Sequence, residues 1–262
     1  MKMQMILSTT MNETIKDQLK FLGLKYLIQN WETVLRDAKK NQPSYHSFLT
    51  NIIEKEYAEK TEKSRLARIK RARIPELFVM ETFPFAKQPQ LKKKMVMELY
   101  DSMDFITKRQ ELIFIGPTGC GKTGLATAFL IHAINQGYRG YFIEFPQLIN
   151  QLFQSKADHT EYKALKRFQS YDILLIDELG YDHINKEVAG IFFDLIKARN
   201  KKFSTIITSQ LGFEEWENFL GNKHLTAAIL DRITVNCTVF NMKECISIRP
   251  KNIVYATKKQ NN

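Results

Sequence analysis

Cysteine is scarce in this chain of 262 residues: only Cys120, Cys237 and Cys245 occur. The count is odd and no two form a C-x-x-C pair. That argues against a disulfide framework or a zinc site and fits a reducing compartment. No apolar stretch is long enough to span a bilayer without a charge interrupting it. At the N-terminus a short apolar patch behind Lys2 runs straight into Asn12, Glu13, Lys16 and Asp17, which does not read as a signal peptide. A cytoplasmic protein without a membrane partner is therefore expected. Internal repeats are missing, and the polar tail Lys258 to Asn262 is the sole low-complexity tract. Acidic residues are in deficit, with 28 Asp and Glu against 39 Lys and Arg, a net charge of +11. Such an excess suits a polyanionic partner.

What is present is a chain 44% hydrophobic, enough for a real core. Residues 12 to about 74 carry helical periodicity. Ile15, Leu19 and Leu22 recur on one face; Leu27, Trp31, Val34, Leu35 and Ala38 follow after a turn at Gly23. Pro43 and Ser44 open a third helix with Phe48, Leu49, Ile52, Ile53 and Tyr57. The far end of that helix is nearly one-signed: Lys60, Lys63, Arg65, Arg68, Lys70, Arg71 and Arg73 face only Glu62. A solvated helix face is the plain reading of such a run; contact with nucleic acid is the sharper one. Pro75, Pro84 and Pro89 mark a connector, and a helix from about Leu91 to Met103 follows. From Glu111 onward short apolar runs alternate with helical stretches. Strands are expected at 112–115, 141–143, 173–176, 205–207 and 235–240. Helices are expected at 122–135, 146–155, 160–168, 186–199 and from about 225. This alternation implies an α/β fold with a parallel sheet. The organisation expected is a small all-α domain at 1–80 and an α/β domain at 81–262, including the connector 75–103.

Residues 116–123 match G-x-x-x-x-G-K-S/T between a strand and a helix, the context that makes this phosphate-binding loop specific. Its backbone N–H groups and the positive end of the following helix form an anion cradle. Gly116, Pro117, Thr118, Gly119, Cys120, Gly121, Lys122, Thr123 and Gly124 are the candidate nucleotide-binding residues. Lys122 is placed for the β- and γ-phosphates and the Thr123 hydroxyl for Mg²⁺. The Cys120 thiol needs no role. Downstream, the apolar strand 173–176 ends in Asp177 and Glu178. Asp177 is placed to hold the metal and Glu178 to act as general base toward water, so ATP and Mg²⁺ are the expected substrate and cofactor. Gln210 ends the strand from Thr205; it either orients water or simply enters a polar loop. Arg232, in Leu230-Asp231-Arg232-Ile233, reads from the residues alone as a surface ion pair with Asp231.

Together these segments resemble the IstB-like ATPases, helper proteins of insertion-sequence transposition related to the DnaC-type helicase loaders of the AAA+ superfamily. The resemblance is carried by GPTGCGKT at 116–123, DILLIDELGY at 172–181, STIITSQ at 204–210 and AAILDRI at 227–233. RLARIKRARIP at 65–75 and DFITKRQELIFIG at 104–116 add to it. It implies a P-loop NTPase of AAA+ type with strand order 5-1-4-3-2 and a preceding helical domain. Asp177 would be its metal-associated acid, Glu178 its catalytic base and Arg232 an arginine finger completing a neighbouring subunit's site. The polar sensor, usually Asn, is Gln210 here, one methylene longer. The family's basic C-terminal motif is represented only by Ile246-Ser247-Ile248-Arg249, and no role is assigned to Arg249. An inserted helical segment at 147–169 would touch DNA through Lys156, Lys163, Lys166 and Arg167, alongside Lys63, Arg65, Arg68, Lys70, Arg71 and Arg73. No base-reading signature accompanies these residues. The implied partners are duplex DNA, a transposase and further copies of the chain with ATP between them. A helicase loader and a scaffold that binds ATP without hydrolysing it are the alternatives. A small-metabolite kinase would need a lid and an acceptor pocket that the sequence does not offer.

Overall fold

The structure is a computed structural model and describes residues 10–158, 160–180, 184 and 186–248. The chain divides into two compact units, Met1–Ala67 and Arg68–Asn262. In the first, α1 (Glu13–Leu22) starts at Asn12, whose Oδ1 accepts the Ile15 N–H at 2.7 Å. It ends at Gly23, φ 69°, the left-handed cap that glycine adopts without penalty. Then come α2 (Lys25–Asn41) and α3 (Tyr45–Arg71), with Ser44 Oγ accepting the Ser47 N–H at the head of α3. Glu56 of α3 is buried and accepts the Leu27 N–H in the first turn of α2 at 2.7 Å, which ties those two helices together. The three expected helices are all present.

The division at 67/68 lies earlier than the boundary expected at residue 80. Ala72 and Met80 are buried in the core of the second unit, and the Ala72 carbonyl accepts the Phe142 N–H at 2.8 Å. Residues 72–80 are thus part of that unit's packing. The connector forms 3₁₀ turns at Met80–Thr82 and Phe85–Lys87. The helix expected up to Met103 is α4 (Lys93–Ser102); Met103 takes a left-handed conformation and a short α5 (Asp104–Thr107) follows.

Five strands come next: β1 (Glu111–Ile115), β2 (Gly140–Glu144), β3 (Ile173–Leu179), β4 (Ser204–Ser209) and β5 (Cys237–Asn241). All pairings are parallel, in the order β2-β3-β4-β1-β5, which read from the other edge is the expected 5-1-4-3-2. Side chains alternate across a strand, so a parallel sheet covered on both faces needs apolar residues at every position. Leu112 and Phe114 of β1 accordingly join one core, with Phe129 of α6 (Lys122–Asn135). Ile113 and Ile115 join the other, with residues of α7 (Phe145–Ala157), α9 (Lys186–Arg199) and α11 (Lys223–Thr234). Helices α8 (Glu161–Gln169) and α10 (Trp216–Leu220) complete the set; the sequence reading had placed nothing at α10.

At the strands' N-terminal ends sits a buried charged pair, Glu111 and Arg199. Arg199 is fully buried and donates to the carbonyls of Phe168, Tyr171 and Ser204 and to the Thr205 hydroxyl. Glu111 accepts the Thr205 N–H. Burial pushes the Glu111 carboxyl up to about 7, against the lowering effect of the Thr205 N–H and of Arg199. The unfolded chain releases this proton near the ordinary glutamate value while the folded chain still holds it. Stability from this group is therefore full below about pH 4.5 and declines as pH rises toward 7. In Glu111→Gln that decline should vanish. The variant should gain stability on wild type between pH 4.5 and 8, by an amount on the order of 3 kcal/mol. Guanidinium denaturation at several pH values checks this; parallel stability curves would refute it.

Candidate functional site

In a parallel sheet the C-terminal ends of the strands share one edge, and the loops leaving them converge there. The loop after β1 begins at Gly116, whose N–H donates to the Ser209 carbonyl at 3.1 Å. A Cβ at Gly116 would stand 2.6 Å from the Met242 carbonyl oxygen, which explains the first glycine of the motif. Gly119 (φ 83°) and Gly121 (φ 99°) take positive φ, a region that side chains disfavour. Helix α6 starts directly after, at Lys122. That side chain is only 8% exposed, and its ammonium donates to the carbonyls of Gly116 (2.7 Å) and Pro117 (2.8 Å).

A cavity of about 360 Å³ opens over this loop. Thr118, Gly119, Gly121, Lys122, Thr123 and Gly124 line it from the loop side. Asp177, Glu178, Thr208 and Gln210 line it from β3 and β4. Cys120 is different: it is fully buried in the core, and its backbone carbonyl accepts from the Gln88 side chain. The thiol thus packs in the interior, as expected for a position without a chemical role.

The acidic pair is arranged by a bulge. Consecutive strand residues face opposite sides of a sheet, yet Asp177 and Glu178 line the same cavity. The β3–β4 register shifts between Ile176 and Leu179, and Glu178 adopts a left-handed φ of 59°. Such a bulge re-aims side chains, and a non-glycine residue held at positive φ costs about 1–3 kcal/mol. Thr208 secures the distortion: its hydroxyl donates to the Asp177 carboxylate and accepts the Glu178 N–H at 3.0 Å. The Thr123 hydroxyl lies 3.0 and 3.2 Å from the two Asp177 oxygens. Burial pushes the Asp177 carboxyl above its ordinary range, opposed by the hydroxyls of Thr208 and Thr123 and by the Lys122 charge. A cation between Thr123 and Asp177 would favour the ionised form. Hard oxygen donors of this kind suit Mg²⁺, which takes few protein ligands and completes its shell with phosphate and water.

Other expected residues fall into several settings. Gln210 stands exposed on the cavity rim. Arg232, in the last turn of α11, is outside the cavity lining; its guanidinium stacks 4.7 Å over the Phe193 ring and donates to the Ala228 carbonyl. The ion pair with Asp231 does not form among the described residues. Of the basic residues, Lys63, Lys70, Arg71, Arg73, Lys163, Lys166 and Arg167 are exposed, Lys166 with its ammonium over the Tyr162 ring. Arg65 pairs with Glu62 through two hydrogen bonds, and Arg68 reaches the Ile134 carbonyl at 3.4 Å. Arg167 donates to the Tyr141 hydroxyl and stacks on Tyr141 and Phe168. Lys156 falls in the last turn of α7, with its side chain outside the described residues, and Arg249 lies outside them altogether.

Sequence reasoning did not single out Thr208, although its place two residues before Gln210 was a signal. It also treated 75–90 as a mere connector, whereas Pro75, Glu76 and Phe78 line the cavity together with Ile248.

This loop, its buried lysine and the acidic pair across a 5-1-4-3-2 sheet define a P-loop nucleotide-binding protein of the AAA+ fold. The chain belongs to the family described as IstB-like ATP binding protein, which it matches over residues 17–256. A protein of insertion sequence IS21 from Pseudomonas aeruginosa, named as ATP-binding, is 33% identical over 231 residues, or 88% of this chain and 86% of that one. A like-named protein of insertion sequence IS5376 from Geobacillus stearothermophilus is 32% identical over 93% of this chain and 97% of its own. Among solved structures, DnaI has a similar fold, with TM-score 0.51 and 20% identity over 58% of this chain and 85% of that chain. AMPPCP-bound DnaA from Aquifex aeolicus has TM-score 0.54 and 17% identity, over 65% and 51%. No described helix is long and apolar enough to cross a membrane.

Replacing Lys122 with Ala removes the one buried cation of the loop. Binding of a fluorescent ATP analogue should fall to background while the melting temperature shows a folded protein; tight binding retained would refute the assignment.

Proposed function

We propose that this protein hydrolyses ATP, assembles on duplex DNA in its ATP-bound state and presents that DNA to a transposase, hydrolysis then dismantling the assembly. The observation that carries the reading is the convergence of Asp177 and Glu178 on the P-loop cavity, held there by Thr208. A site that only held nucleotide would have no use for a second, outward carboxylate installed through a strained backbone.

In this reading the loop N–H groups and Lys122 hold the triphosphate, and Lys122 exchanges its two loop carbonyls for the β- and γ-oxygens. Thr123 and Asp177 would hold Mg²⁺, which when bound neutralises phosphate charge. Glu178, exposed to the cavity, takes a proton from the attacking water, and Gln210 on the rim orients that water. Arg232 leaves its stack on Phe193 to meet the γ-phosphate in the site of a neighbouring copy, where such a guanidinium stabilises charge in the transition state. ATP thereby joins subunits. The helical residues up to about 80 and the α7–α8 segment contact DNA through their lysines and arginines. Contacts of this kind go to phosphates and carry little sequence information. The family relation to insertion-sequence proteins supports a transposase as the partner.

Glu178→Gln should still bind ATP, should lose hydrolysis by at least about 100-fold and should dissociate from duplex DNA more slowly than wild type. Normal turnover in this variant would place the base elsewhere. Arg232→Ala and Lys122→Ala should each be inactive alone and regain ATPase activity when mixed, since each supplies what the other lacks. Absence of rescue at every mixing ratio would make Arg232 a structural residue.

A further inference from the structure

Gln88 lies in the connector, remote in sequence from every motif, and is fully buried. Its side-chain amide joins two distant segments. Nε2 donates to the Cys120 carbonyl of the P-loop at 3.2 Å and to the Ile246 carbonyl at 2.6 Å. Oε1 accepts the Ile246 N–H at 3.0 Å. Two carbonyls on one side and an N–H on the other fix the orientation of the amide, and no other side chain of that length meets all three. Methionine would take this partner from the buried Cys120 carbonyl and from the part-buried N–H and carbonyl of Ile246, and glutamate would set a carboxylate against two carbonyl oxygens.

The segment so held continues to the cavity. After β5 the Met242 N–H donates to the Ile115 carbonyl at 2.6 Å, at the head of the P-loop. Beyond Gln88's grip on Ile246, the Ile248 N–H donates to the Gly119 carbonyl at 2.9 Å, and the Ile248 side chain lines the cavity. A Cβ at Gly121 would meet Phe83 at 2.6 Å and Ile248 at 3.1 Å, so connector and C-terminal segment close on the loop together. Residues 245–248 thus brace the P-loop from one side, and the Gln88 amide is a buried link between the two.

On the reading of the cavity as a nucleotide site, we propose that Gln88 is a positioning residue that couples docking of segment 245–248 to nucleotide binding. The two are then linked reciprocally: ATP strengthens docking by the factor by which docking strengthens ATP binding.

Amide hydrogen exchange on the full chain tests this. A saturating non-hydrolysable ATP analogue should slow exchange at Ile246 and Ile248 by about tenfold or more. Gln88→Met should speed exchange at the same amides and weaken ATP binding by a similar factor, at a temperature where the variant is folded. A residue that merely fills the core would lower the melting temperature and leave ATP affinity unchanged. If the analogue binds and those amides exchange at the same rate, the coupling is overturned; so too if folded Gln88→Met binds ATP like wild type. If Gln88→Met fails to fold, exchange in the wild type decides alone. Should wild type not bind ATP, the nucleotide reading falls and takes this inference with it; should it bind, only the coupling is at stake.

Discussion

Two adjacent carboxylates must reach one cavity from a strand whose geometry would send them to opposite faces. The Thr208 hydroxyl is what reconciles this: it gives its proton to Asp177 and receives the N–H of Glu178. One short side chain thereby sets both acids toward the cavity at once. The bulge is strained, and two features of the neighbouring β4 hold it, the parallel β3–β4 pairing and this hydroxyl. The division of labour between the acids follows from burial. Asp177, 4% exposed, is suited to a cation that offsets its desolvation, whereas Glu178 meets the open cavity and can exchange protons.

The rest of the second unit serves to keep that edge of the sheet fixed. Strand β4 lies between β1 and β3, so the loop and the acids are one strand apart and Thr208 reaches across from the middle. At the opposite end of the strands, Arg199 gathers the carbonyls of Phe168, Tyr171 and Ser204. Glu111 nearby is a costly companion, held toward its protonated form by burial, so the network is better understood as satisfying backbone carbonyls than as an ion pair that stabilises the fold.

Much of this was legible in the sequence because its signals are local. The P-loop reads as a glycine pattern between a strand and a helix. The strands read as apolar runs, and the turn at Gly23 and the helix start at Ser44 as residue types at the ends of periodic segments. What could not be read depends on register. The strand β3 was expected to stop at Ile176, yet it runs to Leu179 through a bulge that no residue type announces. Thr208 matters only because β4 sets it beside Asp177. Gln88 meets Ile246, 158 positions away, and a polar residue between two prolines gives no hint of that. The Asp231 partner expected for Arg232 fails because adjacent side chains on a helix do not face each other, and the guanidinium lies instead over the Phe193 ring of α9.

The basic run shows how position sorts residues that look alike in sequence. Arg65, Arg68 and Arg167 are each engaged within the chain, by a carboxylate, a carbonyl at the end of α6 and a pair of aromatic rings. Lys63, Lys70, Arg71, Arg73 and Lys163 are exposed, as are Arg167 and Lys166, which lies over Tyr162; exposed cations can meet phosphates by displacing counterions. Such contacts give affinity for any duplex, so in the proposed reading they cannot determine when the protein stays on DNA. In that reading the control comes from the nucleotide: Arg232, which contacts one ring and one carbonyl within its own subunit, would move to another's phosphate. On that proposal, occupancy of DNA follows how long ATP remains intact between Glu178 and Arg232.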